Sequence, residues 1–162
     1  MFLSLFYFLG VLVVGDSHVQ YASEMELANT LRTRSTDYHW TFRGRSGSRL
    51  HEAVDVVASL FATNSLPKNL KLVIIHSGHN DIGRLPKQGL GLHFRQQLER
   101  LLDLVAANNA CLLWSDILPA TTYRYLPTAP ALQIRRYLNQ WAHRLLPHSA
   151  RDFIGSHPTV RF

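Results

Sequence analysis

Three short clusters of polar residues follow apolar runs in this 162-residue chain, and their side chains could do chemistry together. Gly15-Asp16-Ser17 ends the run Val11 to Val14, Arg45-Ser46-Gly47 follows the segment Asp37 to Phe42, and Gly78-His79-Asn80-Asp81 follows Leu70 to Ile75. A serine hydroxyl such as that of Ser17 attacks a carbonyl carbon only when other groups activate it. It also needs donors aimed at the oxyanion that develops during attack, each typically worth ~3 kcal/mol. Ser17 and Gly47 could each supply a backbone N–H, and Asn80 a side-chain amide. The same letters have plainer readings. Gly-Asp-Ser after an apolar run can be a strand-to-helix turn with Ser17 as the helix cap, and Asn80-Asp81 can be a simple Asx turn.

The elements around these clusters decide whether they meet. Val11 to Val14 and Leu70 to Ile75 read as buried strands, Asp37 to Phe42 as a half-exposed alternating strand, and Ala110 to Ile117 as a fourth. Helices are expected from Val19 to Leu31, and after Ser48 as a cap, where Leu50, Val54, Val57 and Phe61 form a stripe. A third carries Phe94, Leu98, Leu101, Leu102 and Val105, and a fourth carries Ile134, Leu138, Trp141 and Leu145. Loops are expected around Pro86, Gly89 and Gly91 and over Thr121 to Ala129, with helix-ending prolines at 67 and 147. Phe153-Ile154 reads as a short final strand. Strands alternating with helices imply a parallel sheet covered on both faces, an α/β/α three-layer sandwich of about five strands. No repeat or linker divides it, so residues 1–162 are read as a single domain. The three clusters then lie on one edge of the sheet, at the carboxyl ends of its strands, where ligands gather in open α/β sheets.

In letters, order and spacing, Gly15-Asp16-Ser17, Gly47 and Gly78-His79-Asn80-Asp81 resemble blocks I, II and III of the SGNH (GDSL) hydrolase family of esterases. The resemblance spans roughly Leu12 to Pro158. It implies a flavodoxin-like sandwich, Ser17 as the catalytic nucleophile of an acyl-serine mechanism, and an oxyanion hole of Ser17, Gly47 and Asn80. Asp16 and Asp81 would shape the turns, the substrate would be a small-molecule or acyl ester, and no cofactor is implied. The strand into Trp114 to Pro119 and the helix Tyr137 to Trp141 also resemble esterase-like domains of vertebrate retroelements. The family's last block, Asp-x-x-His, supplies the general base, and no such pattern follows Asp81. Asp152 and His157 stand five residues apart rather than three, and the chain reads as stopping short of its base.

Nine histidines are present, and His18, His76 and His79 lie near the clusters. His18 follows the serine directly and is badly placed to take its proton. His76 reads as a strand-edge residue, and His79 as pointing away or lining the pocket. No acidic or cysteine ligand of recognisable spacing accompanies His76 and His79, so no metal site is expected.

Composition limits the remaining possibilities. With 46% apolar and 17% charged residues the chain is expected to be globular, and its single cysteine, Cys111, excludes an internal disulfide and reads as a core thiol. The formal charge of +6, with Arg32, Arg34, Arg43, Arg45 and Arg49 close together, admits a second reading. On that reading the chain is a non-catalytic module that binds nucleic acid or a protein through these arginines. No aromatic or groove-binding motif accompanies them, and a solvated basic loop is the expectation. The apolar start, Met1 to Val14, lacks a preceding basic residue and a cleavage pattern and is short for a span. An intracellular chain without stable membrane insertion is therefore expected.

Overall fold

The computed structural model describes residues 9–25, 30, 38–66, 69–84 and 87–146. Four parallel strands form one sheet: β1 Leu9–Gly15, β2 Tyr38–Gly44, β3 Leu70–His76 and β4 Cys111–Trp114. Among the described residues they are connected and covered by the helices α1 Ser17–Glu24, α2 Leu50–Ala62, α3 Lys87–Ala107 and α4 Thr128–Leu145. The spatial order β2-β1-β3-β4 means that the chain steps outward from β1 to β2, then back across β1 to β3. Direction reverses between β1 and β3, so their carboxyl ends flank the crevice where such sheets place ligands. The sheet has four strands among the described residues, fewer than the five expected, and Phe153-Ile154 lies outside them.

Successive side chains of a strand face opposite sides, and here both sides are apolar. Leu12, Val14, Val73, Ile75, Leu112 and Trp114 share one buried cluster with Leu50 and Val54 of α2, Phe94 and Leu98 of α3, and Leu138 of α4. On the other face Val11, Leu72 and Ile74 pack with Tyr38, while Val19 of α1 meets Phe42. Burial on both faces explains why β1 and β3 read as unbroken apolar runs rather than alternating ones.

The helix boundaries differ from the expected ones for identifiable reasons. α1 ends at Glu24 because Met25 turns extended, and Val19 alone among its side chains is fully buried. The N-cap of α2 is Arg49, not Ser48; the Glu52 carboxylate accepts from the Arg49 N–H at 2.9 Å, while the Ser48 hydroxyl is turned toward β1. α3 begins at Lys87, so Gly89 and Gly91 are helical rather than loop residues, held by Leu90 in the core. α4 begins at Thr128, with Pro130 in its first turn, where a missing N–H costs nothing. Its buried stripe is Ala131, Leu138, Asn139 and Ala142, whereas Trp141 and Leu145 are only partly covered. β4 is shorter than expected: Ser115 still donates its N–H to the Ile75 carbonyl at 2.8 Å, and beyond it the chain leaves the sheet. Cys111 is partly rather than fully buried.

Candidate active site

Close packing dictates two glycines at the sheet edge. A Cβ on Gly15 would stand 2.0 Å from the His76 carbonyl oxygen, and one on Gly44 would stand 2.0 Å from the Gln20 nitrogen. Their absence lets β3 and α1 approach the end of β1 and β2. Asp16 then leaves the sheet, donating its N–H to the His76 carbonyl at 3.2 Å and capping α1 through Oδ1, which accepts from the His18 N–H at 3.0 Å. The cap of α1 is therefore Asp16, which is almost wholly buried, and Ser17 is the first helical residue, half-buried at the edge.

The second cluster is tied to the first through the Gly15 carbonyl, which accepts from the Arg45 N–H and from the Ser48 hydroxyl, each at 3.1 Å. Ser48 N–H closes a turn onto the Arg45 carbonyl at 3.1 Å, and Gly47 within it has φ of +73°. That conformation favours glycine, although a Cβ there would meet nothing within 4 Å. Gln20 of α1 holds the same turn, its Oε1 accepting from the Ser46 N–H at 2.8 Å.

The third cluster locks onto the second. Gly78 takes φ of +110°, turning the chain into the short 3-10 helix His79–Asp81. Asn80 donates from Nδ2 to the Ser48 carbonyl at 3.0 Å, and Asp81 accepts from the Leu50 N–H through Oδ2 at 2.9 Å. The structure thus joins all three sequence clusters in one continuous hydrogen-bonded frame, Asn80 to Ser48 to Gly15, with Ser17 two residues beyond its end. Burial pushes the Asp81 carboxyl up, against the opposing pull of the Leu50 N–H, His93, His51 and Arg49.

Three imidazoles lie near Asp16. His18 places Nδ1 3.1 Å from Asp16 Oδ1 and packs edge-on against His76, with ring centroids 5.2 Å apart. His76 shares a 2.9 Å hydrogen bond between Nδ1 and the Ser115 hydroxyl. His79 stacks on Tyr123 at 5.1 Å. Burial lowers the pKa of both His76 and His79; the nearby charge of His18 adds to this and the Asp16 carboxylate opposes it. Among the described residues no imidazole hydrogen-bonds to Ser17, and Asp152 and His157 lie outside them.

The sequence singles out Ser17, Gly47 and Asn80 but not the residues that hold their turns and His76 in place. Gln20, Ser48 and Ser115 act across 26, 33 and 39 positions of chain, and no local pattern marks them. The arginine cluster is only partly described. Arg45 and Arg49 both lie 3.7 Å from Glu52, and Arg43 donates to its neighbour's carbonyl, that of Phe42. Arg43, Arg45 and Glu52 line a cavity of about 160 Å³ that also touches Gly15 and Gly44, so these arginines rim the site edge. Arg32 and Arg34 lie outside the described residues. Among the described residues no helix is long and apolar enough to cross a membrane.

No protein-family model matches the sequence, and no curated protein matches it. Solved structures do. A GDSL-like lipase from Bacteroides thetaiotaomicron superposes with a TM-score of 0.65 at 19% identity, over 84% of this chain and 62% of that one. The psychrotrophic esterase EstA from Pseudoalteromonas sp., in a structure inhibited by monoethylphosphonate, gives 0.60 at 15% identity, over 85% of this chain and 73% of that one. AlinE4, an SGNH-hydrolase family esterase, gives 0.53 at 22% identity, over 83% and 72%. The chain thus spans under two thirds of the length of the lipase. The agreement covers the parallel sheet and its helices, and the chain has the fold of the GDSL/SGNH hydrolases.

Proposed function

We propose that the chain is a serine esterase or acyl-hydrolase domain in which Ser17 attacks the carbonyl carbon of an ester. The carbonyl oxygen becomes an oxyanion held by the backbone N–H groups of Ser17 and Gly47 and by the Asn80 side chain. The alcohol departs, the acyl group stays on the Ser17 oxygen, and water releases it in a second step. The observation that carries this reading is the frame joining Asn80 to Ser48 and Ser48 to Gly15. It fixes the donor side chain relative to the strand end that presents the serine, so little reorganisation is needed when charge develops. A primary amide has two N–H donors, and the Ser48 carbonyl engages one of those on Asn80. The fold shared with lipases and esterases supports the same reading.

The carboxylate-imidazole pair that would take the Ser17 proton is a separate requirement. Without it a serine hydroxyl reacts slowly at neutral pH. Hydrolysis of a short-chain aryl ester by the purified chain tests the proposal: turnover above background that disappears in Ser17→Ala is expected. Equal turnover in wild type and Ser17→Ala would overturn it. The arginine-mediated nucleic-acid reading has no specific support, because Arg45 and Arg49 share one carboxylate at the site rim.

A further inference from the structure

The geometry points to a binding site for a borderline divalent transition metal, of the Zn²⁺ type, formed by Asp16, His18 and His76. It does not depend on Ser17 being a nucleophile. A carboxylate oxygen of Asp16 and one ring nitrogen from each histidine lie within 4.8 Å of one another. Tetrahedral zinc with bonds of roughly 2.0–2.1 Å places neighbouring ligand atoms about 3.4 Å apart. The 3.1 Å separation of Asp16 Oδ1 and His18 Nδ1 already approximates one such edge.

Two of the three ligands sit on rigid backbone. Asp16 and His76 are joined by the 3.2 Å bond from the Asp16 N–H to the His76 carbonyl, at the paired ends of β1 and β3. The third, His18, is 54% exposed and free to adjust. Metal-binding histidines ordinarily donate their second ring N–H to a fixed acceptor, which sets the tautomer. His76 can adopt that arrangement: its Nδ1 lies 2.9 Å from the Ser115 hydroxyl, and in the tautomer that donates Nδ1–H there, Nε2 carries the lone pair. Two histidines and one carboxylate with one coordination position left for water is a recognised zinc donor set. Sequence spacing concealed it, because the acidic ligand missing beside His76 comes from the end of a different strand.

The test is calorimetric titration of the tag-free full chain with ZnCl₂, together with the visible spectrum of its Co²⁺ form. One saturable site with tetrahedral-type Co²⁺ absorption is expected, weakened at least tenfold in His18→Ala and His76→Ala. Ser17→Ala should bind as wild type, and Ser115→Ala should bind about tenfold more weakly through loss of the orienting bond. His18→Ala alters an exposed ring and leaves the fold intact, so it decides the matter even if His76→Ala does not fold. No saturable binding, or binding unchanged in His18→Ala, would overturn the assignment. So would binding that is lost only in His51→Ala, because His51, Asp81 and His93 form a second cluster of ligand atoms.

Discussion

At the scale of single residues, Asn80 carries two duties that mutation can separate. Its amide anchors the Ser48 carbonyl at 3.0 Å and, in the proposed mechanism, offers its second N–H to the oxyanion. Asn80→Ala should lower the catalytic constant for ester hydrolysis by about 10²- to 10³-fold. It should cost only about 1 kcal/mol of stability, the net value of an ordinary hydrogen bond. Steady-state kinetics beside urea denaturation would check both, and a large stability loss with unchanged turnover would make Asn80 a structural residue only. The neighbouring Asp81 acts on stability through pH. Its folded pKa is raised by burial, so the native state holds this proton more tightly than the unfolded chain does. Stability should therefore fall as pH rises from the ordinary aspartate value through the raised folded value, then stay level. In Asp81→Asn that fall should vanish from denaturation curves measured across the same window. Glu52 has the opposite sign. The Arg49 N–H lowers its pKa, so its contribution is full above the ordinary glutamate value and is lost as pH falls through the lowered one.

At the scale of elements, the site depends on how closely α1 approaches β2. Gly44→Ala would drive a methyl group into the backbone of Gln20, which cannot move aside as a flexible side-chain tip would. A loss of about 3 kcal/mol is expected, at the upper end of overpacking costs. Gly47→Ala meets no neighbour and pays only for its left-handed backbone, about 1–2 kcal/mol. Equal losses in the two variants by urea denaturation would refute this distinction. The strands at the site were legible because burial on both faces leaves uninterrupted runs such as Val11 to Val14 and Leu72 to Ile75. Helix starts were not. Gly89 and Gly91 look like loop residues until Leu90 is seen in the core, and Gly91 lies where the Tyr137 ring approaches. The buried stripe of α4 was hidden for a related reason: three of its four members are alanine or asparagine rather than large apolar residues. Asn139 is buried because it accepts from the Ile117 N–H at 2.9 Å and donates to the Ile117 carbonyl at 3.2 Å. No periodicity in the sequence encodes that exchange.

At the scale of the whole molecule, the strand order places the chemistry. Reversal between β1 and β3 brings the turns that carry Ser17 and Asn80 to one edge of the sheet, whereas the apolar cluster beneath joins the sheet to α2, α3 and α4. Leu101, wholly buried in that cluster, should cost about 2–5 kcal/mol when cut to alanine. The three blocks could be read from sequence because each is contiguous. Gln20 and Ser48, which position them, and Ser115, which holds His76, could not, because their partners lie on other elements. The central claim is that Ser17 is the nucleophile and that this frame sets the oxyanion donors beside it. Incubation with a fluorophosphonate probe, followed by mass mapping of the modified peptide, tests it most directly. The account predicts a single covalent adduct on Ser17, absent in Ser17→Ala and slower to form in Asn80→Ala. An unmodified Ser17 after prolonged incubation, or equal labelling of Ser17→Ala, would contradict it.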